Sequence, residues 1–198
     1  MVNLVNQLID TYGKPDAIRI ELARELKKSA KERADMTKGI ADATRRNDEI
    51  KKIIRQKSGI PNPTKSDVVR YRLWQELEPR GHKDLFTDTY IPLEKIFSSE
   101  IDIEHIIPKA LLFDDSFSNK TLSYKSVNLK KGNRTALDFI AQDYHSKLED
   151  YTKRVETMYK DGHISKGKRN KLLMALVDIP DGFIERDLRN SQYIARKA

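Results

Sequence analysis

The residues best suited to chemistry lie in one short segment, Ile101-Asp102-Ile103-Glu104-His105-Ile106-Ile107-Pro108. An imidazole with an ordinary pKa near ~6.5 can accept a proton from water at neutral pH. Further along, Asn128 offers a carboxamide oxygen, and a carboxylate with such an oxygen can bind Mg²⁺. Mg²⁺ completes its shell with waters and substrate phosphate, so these groups together are typical of phosphodiester hydrolysis.

A purely structural interpretation of the same segment stays open at this point. Its apolar and polar residues alternate, which predicts an edge strand with Asp102 and Glu104 together on a solvated face. The other histidines lie in polar or helix-ending contexts and are interpreted as surface residues: His82, His145 and His163.

Composition restricts both the metal chemistry and the partners. The 198 residues include no cysteine, which excludes disulfides and thiolate zinc sites and leaves oxygen and nitrogen ligands. The net charge of +8 attracts polyanions without distinguishing DNA, RNA and anionic membranes. The acid-free stretch 120–134 concentrates five cations, Lys120, Lys125, Lys130, Lys131 and Arg134. The sequence has no recognisable signal peptide or membrane span, so we expect a soluble, cytoplasmic protein.

Hydrophobic periodicity predicts an α+β fold that is mainly helical. A long, charged helix is expected over 24–57, followed by a break at Gly59-Ile60-Pro61 and a helix capped by Thr64 and Asp67. Short β-prone stretches occur at 17–22, 85–93, 100–107 and 121–124. One helix is predicted from 137 to 159, with shorter ones near 165–177 and 182–196.

The segment IDIEHIIPKALLFDDSFSNKTLSYKSVNLKKGNRTA resembles the HNH nuclease signature, in the version found in RNA-guided CRISPR type II effector endonucleases. The resemblance implies a ββα-metal core surrounded by helices. It also implies that His105 is the general base and that Glu104 and Asn128 hold one Mg²⁺, for which Mn²⁺ can substitute. Asp102 is the alternative metal ligand. The nucleic-acid contacts implied in this segment are Lys131, Lys130 and Asn119. Lys131 is the preferred phosphate contact, and Asn119 is expected to organise the loop, with substrate contact as its alternative role.

The flanks extend this resemblance. Residues 18–25 resemble the second motif of the RuvC-like nuclease of these effectors, with Glu21 as a metal ligand whose site is incomplete here. The implied organisation is a RuvC-like fragment at 1–23, a linker helix at 24–57, an HNH domain at 58–178 and a return linker helix at 179–198. The implied partners are a guide RNA:target DNA heteroduplex and the remainder of the effector, with no membrane. We expect a monomer.

The sequence departs from the family pattern at two places, and two other function classes stay open. Many HNH proteins carry a cysteine pair near the position of residues 85–88, so packing must replace that clamp here. Glu104 also stands where relatives often have Asp. The alternatives are a catalytically silent nucleic-acid-binding module and an interdomain scaffold. Binding without cleavage in Mg²⁺ would indicate the silent binding module. Association with a protein partner that salt does not weaken would indicate the scaffold, because phosphate binding weakens steeply with salt.

Overall fold

The computed structural model describes residues 9–11, 13 and 30–179. By contacts, the chain divides into two units, Met1–Arg45 and Arg46–Ala198. The helices and strands of the described residues are α1 (Ala30–Ser58), α2 (Lys65–Glu76), β1 (Ile101–His105), β2 (Lys120–Tyr124), α3 (Lys125–Lys131), α4 (Ala136–Asp143), α5 (Leu148–Lys160) and α6 (Lys166–Leu172). This mainly helical α+β architecture with one small sheet confirms the predicted fold class. None of these helices combines the length and apolar character needed to cross a bilayer.

The long charged helix and the cap that follows it match the sequence pattern where the structure describes them. Helix α1 ends at Ser58, and Gly59 then adopts a φ of +68°, which a residue with a Cβ rarely adopts. The part of the predicted helix before Ala30, the β-prone stretch at 17–22 and the predicted helix at 182–196 lie outside the described residues. Helix α2 begins at a capping box in which the Thr64 hydroxyl accepts from the backbone N–H of Asp67.

The strand expected within residues 85–93 does not form, because a buried carboxylate organises a turn there. Asp84 accepts from the backbone N–H of Phe86 at 2.6 Å and from that of Thr87 at 2.7 Å. A side chain that binds nearby backbone groups competes with strand pairing. Arg154 of α5 donates to the carbonyl of Leu85, and both Leu85 and Phe86 lie in the core. Hydrogen bonds and packing therefore hold the region where a cysteine clamp is absent.

Strands β1 and β2 pair antiparallel, with Asp102 opposite Ser123 and His105 opposite Lys120. The loop 106–119 joins them, and α3 begins directly after β2. Sheet, loop and α3 form the ββα unit that the resemblance implied. A backbone bend between Glu104 and His105 would bring the two side chains to one face, but β1 continues through His105 and the bend follows at 106–107.

Helices α4, α5 and α6 pack around the ββα unit and complete its core. The single helix predicted over 137–159 is two helices, because the chain leaves helical geometry at Tyr144, with φ of −136°. A short 3₁₀ turn, His145–Lys147, separates α4 from α5. An ion pair between the largely buried Glu76 of α2 and the fully buried Lys168 of α6 connects elements distant in sequence. The core includes Tyr71, Leu73, Phe86, Ile101, Leu122, Phe139, Tyr151 and Leu172.

Candidate active site

Helix α3 covers the face of β1 that carries Asp102 and Glu104. The Asn128 side-chain amide donates to the Asp102 carboxylate at 3.1 Å, and Lys131 Nζ donates to Glu104 Oε1 at 2.7 Å. Asn128 and Lys131 are three residues apart on one helix, so both reach the same strand. The alternation argument therefore placed Asp102 and Glu104 correctly on one face. That face packs against α3 and is not a solvated edge.

Glu104 and Lys131 form a buried ion pair, with 7% of Glu104 and 1% of Lys131 exposed. Burial raises the pKa of Glu104, the Lys131 ammonium opposes that shift, and the Asp102 charge adds to it. Burial lowers the pKa of Lys131, and the Glu104 carboxylate opposes this. Lys131 also donates to the His105 carbonyl at 3.1 Å. Lys131 therefore ties α3 to the end of β1, which carries the candidate site.

The burial of two residues differs from the expectation that they contact nucleic acid. Lys131 points inward and pairs with Glu104, so a phosphate contact would first have to open a buried ion pair. Asn119 is fully buried. Lys130 keeps 54% of its side chain exposed, so a phosphate could reach it without opening a buried ion pair. Sequence alone could not separate Lys130 from Lys131, because helical rotation decides which of two neighbours faces the strand.

Asn119 organises the loop between the strands. Its side-chain oxygen accepts from the backbone N–H of Ile107 at 2.9 Å, while its amide nitrogen donates to the carbonyls of Ile107 and Asp114, each at 2.9 Å. A carboxamide accepts at its oxygen and donates two hydrogens from its nitrogen. A carboxylate cannot donate, and a hydroxyl donates only one hydrogen. The buried Asn119 side chain thereby holds the two ends of the loop segment 107–114 together.

Replacing Asn119 with aspartate should destabilise the fold by about 2 kcal/mol or more. The carboxylate would keep the acceptor for Ile107 but would lose both donors and face two carbonyls. Chemical denaturation followed by circular dichroism measures the change. Asn133 is exposed, so Asn133→Asp is the matched control and should leave stability unchanged. Equal stability of the two variants would show that these buried hydrogen bonds do not hold the loop.

His105 lies at the end of β1 and meets the loop on the opposite side of the strand from Glu104. Its Nε2 is 3.0 Å from Asp115 Oδ1. Partial burial lowers the pKa of His105, and the Lys109 and Lys120 charges lower it further, while Asp115 opposes the shift. Hydrogen bonds from Lys109, Lys120 and His105 hold the pKa of Asp115 well below its usual range. The lowered pKa of His105 favours the uncharged imidazole at neutral pH, which is the form that accepts a proton.

The side chains on the α3 side suit a hydrated hard cation. Asp102 and Glu104 supply carboxylates, and because the Asn128 amide nitrogen faces Asp102, its carbonyl oxygen remains as a donor atom for a metal. In the described part of the chain, no three His, Asp or Glu side chains converge into a protein cage. Mg²⁺ does not require one, since it keeps several waters and takes one or two protein oxygens. The donor set is therefore compatible with Mg²⁺.

Residues 84–137 match a family model described as HNH endonuclease. They include β1, the loop, β2 and α3 with every candidate residue of this site. Residues 84–137 form an HNH endonuclease domain. Glu21, the residue that resembles a RuvC-type ligand, is outside the HNH domain and outside the described residues.

The curated relatives of the HNH-containing chain are much longer proteins. It is 33% identical to the CRISPR-associated endonuclease Cas9 of Staphylococcus aureus, covering 98% of this chain and 19% of that protein. It is 28% identical to CRISPR-associated endonuclease Cas9 1 of Streptococcus thermophilus, covering 98% of this chain and 18% of that one. The chain thus spans about a fifth of the length of these relatives.

Solved Cas9 structures share the fold. The crystal structure of Streptococcus thermophilus Cas9 in complex with AGGA PAM matches with a TM-score of 0.63 and 26% identity, over 98% of this chain and 19% of that one. The Type II-C Cas9 enzyme from Actinomyces naeslundii matches in fold with a TM-score of 0.63 at 19% identity, over 87% of this chain and 18% of that one.

The sequence showed Asp115 of the HNH domain only as part of the motif and gave it no role, because its contact with His105 depends on how the loop folds back.

Proposed function

We propose that this chain is the HNH part of an RNA-guided effector and hydrolyses the DNA strand paired to a guide RNA. The observation that carries the proposal is the arrangement at the end of β1. A neutral His105 faces the loop, while Asp102, Glu104 and Asn128 gather oxygen donors on the α3 side. The names of the relatives, CRISPR-associated endonucleases, supply the expectation of guided DNA cleavage. Base pairing would then select the sequence.

In the proposed reaction His105 takes a proton from water as the water oxygen attacks phosphorus. A new P–O bond forms, the bond between phosphorus and the 3′ oxygen breaks, and a proton from solvent completes the 3′ hydroxyl. Asp102 or Glu104, with Asn128, would hold Mg²⁺. When bound, that ion would stabilise the negative charge on the phosphate and on the leaving oxygen. The exposed Lys130 would bind a neighbouring phosphate of the strand.

The proposed organisation extends beyond the HNH domain. Residues 1–23 and 179–198 would connect to a RuvC-like nuclease, with Glu21 contributing to a metal site completed by other segments. In this proposal the remaining effector presents the heteroduplex to His105. Loss of that positioning reduces rates strongly, so we expect slow cleavage by the 198-residue chain alone.

Strand-specific cleavage tests the proposed function. An RNA:DNA hybrid with the DNA strand labelled, a DNA duplex and the single DNA strand would be incubated with the chain in Mg²⁺, in Mn²⁺ and in EDTA. Metal-dependent cutting of the hybrid's DNA strand supports the proposal. Salt-sensitive binding without cutting at any metal concentration would instead support the silent binding module.

Replacing Glu104 or Asn128 with alanine should weaken Mg²⁺ binding and lower activity, with partial recovery at high metal concentration. Removing one of only two protein oxygens leaves the hydrated ion poorly held. Isothermal titration with Mg²⁺, alongside cleavage rates, measures both effects. Because Glu104→Ala also leaves Lys131 buried without its partner, Glu104→Gln is the variant that better preserves packing.

The same titration separates the two candidate carboxylates. If Asp102→Ala carries the metal defect and Glu104→Gln does not, then Asp102 and Asn128 are the ligands, and Glu104 serves Lys131. Unchanged Mg²⁺ affinity in the Glu104, Asp102 and Asn128 variants alike would rule out this metal site. Glu94→Ala provides a control, since Glu94 is on the 3₁₀ turn Leu93–Lys95, outside the ββα unit.

A further inference from the structure

An exposed carboxylate collects three nitrogen partners beside the candidate base. Asp115 Oδ1 lies 3.0 Å from His105 Nε2 and 2.7 Å from Lys109 Nζ, and its Oδ2 lies 2.9 Å from Lys120 Nζ. The side chain is nevertheless 61% exposed. Exposed ion pairs contribute little to stability, so these contacts do little to hold the fold.

The backbone that carries Asp115 is held firmly, although its side chain is exposed. The neighbouring Asp114 forms an ion pair with Lys171 of α6, and its carbonyl accepts from the buried Asn119 side chain. Asp114 also accepts from the backbone N–H of Ser116 at 2.8 Å. Both neighbours of Asp115 are therefore anchored, and Asp114 is held to a helix residue 57 positions away in the sequence. This anchoring places the Asp115 carboxylate opposite the end of β1.

We propose that Asp115 is a positioning residue that selects the tautomer and the ring orientation of His105. The inference rests on the proposed function, in which His105 is the general base. A carboxylate only accepts hydrogen bonds, so the nitrogen that faces it must carry the proton. With the proton on Nε2, the lone pair of the neutral ring is on Nδ1. Nδ1 is then the atom that accepts the proton from water.

Without Asp115, the His105 ring would have two tautomers and two flipped orientations available. Only a fraction of molecules would present a basic nitrogen to the attacking water, and the rate would fall by that fraction. Lys109 and Lys120 support the arrangement because they keep the carboxylate charged and restrict its rotation. Substrate binding does not require the tautomer, so the loss should appear in kcat.

The experiment combines kinetics with ¹⁵N NMR of the histidine side chains in the full 198-residue chain. We expect Asp115→Ala to lower kcat about tenfold, by analogy with other residues that orient a functional histidine, and to change KM less than twofold. In the parent, His105 should show a protonated Nε2 and an unprotonated Nδ1, and in Asp115→Ala a mixture of tautomers. The His105→Ala variant identifies the signal. Asp115→Asn, whose amide oxygen can still accept from Nε2, should recover part of kcat.

Glu100→Ala is the matched control, because Glu100 is a similarly exposed carboxylate that pairs with Lys95 at 2.7 Å and touches no candidate site residue with its side chain. It should retain the parent kcat and the parent His105 spectrum. If Asp115→Ala keeps the parent kcat and the parent His105 spectrum while His105→Ala is inactive, the positioning role is overturned and the proposed function stands. Full activity of His105→Ala would instead overturn the proposed function. An unprotonated Nε2 in the parent overturns the positioning role without reference to activity.

Discussion

His105→Ala should lower the rate of phosphodiester cleavage by ~10² to 10⁴, the range typical for removing a general base. His105 is the only histidine on the ββα unit, and its lowered pKa favours the uncharged ring at neutral pH. Its ring nitrogen contacts Asp115 and not the oxygen donors facing α3. The variant should therefore keep its fold and its Mg²⁺ affinity. Cleavage kinetics, circular dichroism and metal titration together measure these three properties.

His163→Ala is the control for this substitution, because His163 is exposed and lies in the turn after α5. It should cleave at the parent rate. If His105→Ala cleaves as fast as His163→Ala, another group activates the water. If His105→Ala loses Mg²⁺ affinity to the same extent as Asn128→Ala, His105 is a metal ligand and the separation of base and metal side chains is incorrect.

Lys168→Met should destabilise the fold by about 3 kcal/mol, because it leaves the largely buried Glu76 carboxylate without its partner. Lys168 is 1% exposed, and burial raises the pKa of Glu76 while it lowers that of Lys168. Methionine fills a similar volume, so the loss reflects charge more than packing. The Lys168 ammonium also lies 5.3 Å from the centre of the Phe117 ring in the active-site loop. Urea denaturation of parent and variant gives the free energy of unfolding.

The double variant Glu76→Gln with Lys168→Met tests the physical reason. Once neither charge is buried, much of the stability should return, because neutral groups cost less to bury than an isolated charge. Lys153→Met is the surface control, since the Lys153 and Glu149 side chains are largely exposed, and it should have no measurable effect. A double variant less stable than Lys168→Met alone would contradict this account of the ion pair.

Local sequence determined the elements whose causes are local. The capping box at Thr64 and Asp67 starts α2, and glycine after Ser58 ends α1, because each depends on residues within one helical turn. Strand alternation placed Asp102 and Glu104 on one face, and the resemblance to the HNH signature implied the ββα unit and the candidate base. These features need no knowledge of distant residues.

Tertiary structure decided which polar groups meet. Lys131 and Glu104 are 27 residues apart, and their pairing, together with the exposure of Lys130, depends on how α3 rotates against β1. Lys168 meets Glu76 across 92 residues. The buried Asp84 forms a turn where apolar residues alone predicted a strand. Burial makes an unpaired polar group costly, so each buried polar group must lie beside a partner in the folded chain. The periodicity and spacing of the sequence do not show which residue that partner is.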